Sequence, residues 1–125
     1  MAQQPRNDEV DLAGKRVLLI EDEYFIADEV ARALISAGAS VLGPLGTLAS
    51  ARAAVDEGEF DCVILDLNLH GESAIPIADR LVAEDRSFAI ATGYGSASVP
   101  DRFQSIPRIE KPFDPTNLMK LIARL

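Results

Sequence analysis

A chain of 125 residues, 48% of them hydrophobic, has the size of one compact domain with a substantial core and leaves no length for a second. A net charge of -8, from 12 Lys and Arg against 20 Asp and Glu, lacks the clustered cations that a nucleic-acid backbone requires, so a protein or a cation is the expected partner. The chain has no run approaching the roughly 20 apolar residues of a membrane helix, no charged start leading into an apolar stretch, and a single cysteine, Cys62, inside an apolar run, which excludes a disulfide framework.

A cytoplasmic protein that binds neither nucleic acid nor membrane is therefore expected. Residues 1–14, with Gln3, Gln4, Pro5, Arg6, Asn7 and Asp8, show no periodicity and are expected to form a flexible tail, with the folded domain over residues 15–125.

The runs at 17–20 (Val-Leu-Leu-Ile), 62–65 (Cys-Val-Ile-Leu) and 88–91 (Phe-Ala-Ile-Ala) are short and continuously apolar, the pattern of parallel strands covered on both faces. Weaker strands are expected at 40–42 and 108–110. The first helix is expected over 23–37, with Ala27, Val30, Ala31 and Leu34 inward and Gly38 as its stop. The second is capped by Thr47, turns Leu48, Ala51 and Val55 inward, and ends at Gly58. The third spans 73–84 with Ile77, Ala78, Leu81 and Val82 inward, and tolerates Pro76 because it falls in the first turn. A short helix is expected near 99–103. In the last, Asp114 caps and Pro115 opens a helix whose stripe is Leu118, Leu121, Ile122 and Leu125. Strand and helix alternate five times, which selects an α/β fold with a five-stranded parallel, doubly wound sheet and helices on both faces.

In such a sheet ligands bind beyond the carboxyl ends of the strands, where the strand order reverses. The first strand ends on Glu21 and Asp22, the third on Asp66, the fourth on Thr92 and the fifth on Lys111. Each has an ordinary reading alone: a turn or cap for an Asp, a β-branched strand residue for Thr92, a solvated charge for Lys111. Together they bring three acids, a hydroxyl and an ammonium to one edge. Packed carboxylates repel unless neutralised, and for hard oxygen ligands the simplest neutraliser is Mg²⁺. An Asp beside a cation and a Lys suits phosphoryl transfer, with the Asp itself as nucleophile.

This set, continued as Lys111, Pro112 and Phe113, resembles the receiver domain of two-component response regulators over residues 15–125. The resemblance implies a flavodoxin-like receiver in which Asp66 is the phosphoacceptor and Glu21, Asp22, Asp66 and the main-chain carbonyl of Asn68 hold Mg²⁺. It further implies that Thr92 and Lys111 contact the phosphoryl group, and that the donor is a histidine kinase or histidine phosphotransfer protein. The stretches at 41–44 (Val-Leu-Gly-Pro) and 91–95 (Ala-Thr-Gly-Tyr-Gly) are similar to alphaproteobacterial single-domain regulators named for a Phe-Ala-Thr-Gly-hydrophobic-Tyr motif. Ile90 stands in place of that Phe and Gly95 in place of the last Tyr. Three residues before the Lys, where many receivers carry a Tyr or Phe that reports phosphorylation, stands Arg108.

A stand-alone receiver is expected, with no output domain after Leu125, acting through a downstream protein or as a phosphate relay or sink. With no ring at position 108, the stretch from Gly93 to about Ser105 is the expected carrier of the signal, locked by Tyr94. Two rivals are a Mg²⁺-dependent phosphohydrolase with an aspartyl nucleophile, which lacks here a second acid in the Asp66, Leu67, Asn68 triplet, and a receiver-like binding module that takes no phosphate. His70 reads as an exposed loop residue. Phe25 and Ile26 are either ordinary surface apolar residues or, with Phe113, a docking patch.

Overall fold

A computed structural model describes residues 10–93 and 99–125. Tyr94, Gly95 and residues 96–98 of the expected signal carrier, and residues 1–9 of the expected tail, lie outside the described residues. Along the chain the elements are β1 (Arg16–Ile20), α1 (Tyr24–Ser36), β2 (Ser40–Leu45), α2 (Leu48–Glu57), β3 (Cys62–Asp66), β4 (Asn68–Leu69), β5 (Glu72–Ser73), α3 (Ile75–Ala83), β6 (Ser87–Thr92), β7 (Arg108–Glu110) and α4 (Pro115–Ala123). Strands β2-β1-β3-β6-β7 form one sheet in that order, with every pairing parallel. The five-stranded parallel, doubly wound sheet expected from the sequence is present.

The continuously apolar strands are explained by two cores. Leu18, Ile20, Val63, Leu65, Phe88 and Ile90 point to the side covered by α2 and α3. Val17, Leu19, Cys62, Ile64 and Ala91 point to the side covered by α1 and α4. Successive side chains leave a strand on opposite faces, so a strand buried on both has no polar position. The order reverses between β1 and β3, because the chain crosses from β1 out to β2 and returns to β3 on the other side. That reversal puts the ends of β1 and β3 at the crevice.

The helix limits follow local chemistry. The Thr47 hydroxyl oxygen accepts from Ser50 N–H at 3.1 Å and Gly58 closes α2 in the left-handed region, φ +70°. The Asp114 carboxylate accepts from Thr116 N–H at 3.0 Å, ahead of Pro115 at the first helical position. Gly43, at φ +106°, is fixed by space: a Cβ there would lie 2.6 Å from the Leu19 carbonyl oxygen, where β2 slips register against β1.

Four expectations are corrected. Within residues 10–14, expected to belong to the tail, Leu12 packs: it is buried and its N–H donates to the Ala37 carbonyl at 2.7 Å, because an apolar side chain there covers the core beside α1, while Asp11, Ala13 and Gly14 stay exposed. The short helix expected near 99–103 is shorter still, a single 3-10 turn, Asp101–Phe103, with Pro100 ahead of it extended at ψ +147°. Val82, expected inward on α3, is 49% exposed, and on α4 Met119 is buried where Leu121 is only half-buried. The β4–β5 hairpin was not expected at all. No helix among the described residues is long and apolar enough to cross a membrane.

Candidate functional site

The edge formed by the ends of β1, β3, β6 and β7 opens into a cavity of about 390 Å³, lined among others by Asp22, Glu23, Asp66, Asn68, Thr92 and Lys111. Glu21, Asp66 and Thr92 are the buried polar side chains among the described residues. Parallel pairing aligns β1 with β3 and β3 with β6, so residues that follow apolar runs on separate strands arrive side by side.

Lys111 organises the floor. Its Nζ lies 2.7 Å from Glu21 Oε1, 2.8 Å from Asp66 Oδ2 and 3.6 Å from Glu23 Oε1, and its side chain is 10% exposed. Its own N–H donates to the Thr92 carbonyl at 2.8 Å, which places the ammonium at the end of β7. Burial pulls the ammonium pKa down, but the Asp66 and Glu21 carboxylates outweigh it, and the net shift is upward. Lys111 is therefore a fixed cation. Burial pushes the Glu21 carboxyl up to about 7, against the opposing pull of Lys111 and of the Glu23 N–H at 3.1 Å.

Asp66 Oδ1 accepts from Asn68 N–H at 2.9 Å, leaving its two oxygens on different donors. The Asp22 Oδ2 atom accepts from His70 N–H at 2.7 Å. The Thr92 hydroxyl donates to the Ile109 carbonyl at 3.4 Å, a long bond. Glu21, Asp22 and Asp66 each bring an oxygen within 4.8 Å of the others. Three carboxylates facing one ammonium leave excess negative charge, and the donors are all hard oxygens, so the set fits a divalent cation such as Mg²⁺.

All six residues expected from the strand ends and their flanks, Glu21, Asp22, Asp66, Asn68, Thr92 and Lys111, meet at this edge. Glu21 lies beneath the cavity against Lys111, while Asp22 lines it. Sequence reading missed Glu23, which is near Lys111 only because α1 starts there, and the main-chain role of His70. His70 is exposed, as expected, but held to Asp22. Phe25 is 84% exposed and packs edge-to-face on Tyr24 with centroids 5.5 Å apart, while Phe113 and Ile26 rest on the core of α1 and α4.

No family model matches the chain. Among solved structures, SdrG from Sphingomonas melonis Fr1 superposes with TM-score 0.79 at 35% identity, covering 89% of this chain and 97% of that one. The BeF3-activated conformation of SdrG from Pseudomonas melonis Fr1 gives TM-score 0.73 at 37% identity, over 90% and 98% of the two chains. The PhyR response regulator REC domain of Erythrobacter litoralis gives TM-score 0.78 at 25% identity, over 90% of each. The transcriptional regulatory protein TcrA of Mycobacterium tuberculosis is 33% identical over 122 residues, 91% of this chain and 46% of that protein. The chain thus spans about half the length of the curated relatives it matches. Sheet order, acidic strand ends and these likenesses agree, and the chain belongs to the receiver-domain family of two-component response regulators.

Proposed function

We propose that the chain accepts a phosphoryl group on Asp66 from a phosphohistidine of a histidine kinase or histidine phosphotransfer protein, in a Mg²⁺-dependent reaction, and signals by binding a protein target. The observation that carries this reading is Asp66 itself. It is a carboxylate whose side chain is 12% exposed at the end of a central strand, with a fixed ammonium on one oxygen and an open cavity before it. Attack by a carboxylate oxygen forms the O–P bond of an acyl phosphate as the P–N bond to the donor imidazole breaks.

Glu21, Asp22 and Asp66, with the main-chain carbonyl of Asn68, would hold the ion. When bound, Mg²⁺ supplies positive charge that offsets the phosphoryl oxygens. Lys111 contributes a second, fixed positive charge, and Thr92 a hydroxyl donor at the cavity wall. The chain assists its own transfer and hydrolysis but turns over no separate substrate. A net charge of -8 favours protein partners over nucleic acid.

The test is incubation with Mg²⁺ and a small phosphodonor such as acetyl phosphate, borohydride trapping and peptide mass mapping. The label is expected on Asp66 alone and lost in Asp66→Asn. Labelling that persists in that variant refutes the proposal.

A further inference from the structure

Each of the three clustered carboxylates is held by one main-chain N–H group. For Glu21 the donor is Glu23 and for Asp66 it is Asn68, both two residues further on. For Asp22 the donor is His70, 48 positions away, at 2.7 Å. His70 sits at the turn between β4 and β5 with φ +50°, in the left-handed region. Its ring is largely exposed, with Nδ1 3.6 Å from the same Asp22 oxygen.

The turn is held from several sides. Leu69 is fully buried in the core. The Gly71 N–H donates to Asn68 Oδ1 at 2.9 Å, and the Ala74 N–H to the Leu67 carbonyl at 2.8 Å. A left-handed non-glycine residue persists only where its surroundings enforce it. Here that conformation aims the His70 N–H at Asp22, whose Oδ1 has no hydrogen-bond partner among the described residues.

We propose that His70 is a positioning residue for the cation site, acting through its main chain: the left-handed turn presents the N–H that orients the Asp22 carboxylate. The inference rests on reading Glu21, Asp22 and Asp66 as a Mg²⁺ site. Groups that orient a metal ligand commonly control affinity as strongly as some ligands do. Because the donor belongs to the backbone, the requirement falls on conformation and not on the imidazole. Asn and Gly adopt φ near +50° readily; a β-branched residue does not.

The test compares His70→Asn and His70→Val by calorimetric Mg²⁺ titration, with metal-free melting to establish that each is folded. His70→Asn is expected to bind Mg²⁺ within about threefold of the original chain, and His70→Val about tenfold or more weakly. Hydrogen exchange supplies a measurement free of both metal and variant at position 70. The residue-70 amide is expected to be protected in the metal-free chain and to exchange faster in Asp22→Ala. Equal affinity of the Asn and Val variants overturns the proposal while leaving the cation site intact. Equal loss in both assigns the role to the ring and overturns it as well. Residue-70 exchange that is indifferent to Asp22→Ala overturns it without recourse to either variant. A chain that binds no Mg²⁺ in the titration of the unsubstituted protein removes the reading beneath the inference, and the inference with it.

Discussion

Replacing Lys111 by Met removes the cation that bridges Glu21 and Asp66 without emptying the space its stem fills. The side chains of Glu21, Asp66 and Lys111 are 2%, 12% and 10% exposed, so water screens little of what is lost. Stripping one partner from a buried ion pair costs about 3–5 kcal/mol, and the cavity beside Asp66 argues for the low end, about 3 kcal/mol when both acids are ionised. The cost depends on pH. Glu21, with its carboxyl pushed up to about 7 from 4.5, is protonated in the folded chain at pH 5 and largely ionised at pH 8. The folded chain holds that proton more tightly than the unfolded chain, so stability falls as pH rises through that window, and Lys111 moderates the fall. At pH 5 the variant loses mainly the Asp66 contact, and at pH 8 it loses both. Thermal melts in metal-free buffer are therefore expected to drop by about 12 °C at pH 8 and about half that at pH 5, taking about 4 °C per kcal/mol for a domain this size. A drop under about 3 °C at pH 8, or one equal at both pH values, refutes the coupling of the three groups.

Three further outcomes are expected. Gly43→Ala should destabilise by at least about 2 kcal/mol in urea unfolding, because the new Cβ meets the Leu19 carbonyl at 2.6 Å in a left-handed backbone; a variant as stable as its parent would contradict the register slip. Asp22→Ala should weaken Mg²⁺ binding more than Glu21→Ala in calorimetric titration, since Asp22 lines the cavity while Glu21 is engaged beneath it by Lys111; the reverse order would reject the assignment. Cys62, fully buried and with its thiol pushed up to about 11 by burial, should resist iodoacetamide at pH 8 until urea unfolds the chain, and rapid native alkylation would show that β3 opens.

The central strands were readable because β1, β3 and β6 are buried on both faces and leave apolar runs with no polar gap. Caps such as Thr47 and Asp114 were readable because they act on residues two or three positions away. The site was readable for a related reason: in a parallel sheet the strand ends share an edge, so Glu21, Asp22, Asp66, Thr92 and Lys111 can be brought together without side-chain detail. Failures came where the determinant was distant or the element too short for a period. Two-residue strands such as β4 and β5 carry no alternation, and the bond from His70 to Asp22 joins positions that no local pattern links. On α3, Val82 lies about 90° around the helix from the middle of the stripe formed by Ile77, Ala78 and Leu81, enough to reach solvent while still looking amphipathic in sequence. Leu12 was lost because Val10, Leu12 and Ala13 are too few apolar residues to show a period.

A hydroxyl has a single proton to give, and that makes Thr92 a two-position selector. At present the proton points along the sheet to the Ile109 carbonyl, 3.4 Å away, near the limit of a hydrogen bond. An anionic oxygen arriving in the cavity would compete for it from a different direction, and the bond given up is worth at most about 1 kcal/mol. The choice is exclusive: a proton turned toward the cavity is withdrawn from β7, a three-residue strand at the open edge of the sheet. An anion held by Thr92 in the cavity would therefore cost the Ile109 carbonyl of β7 its hydrogen bond, on the strand that also carries Arg108.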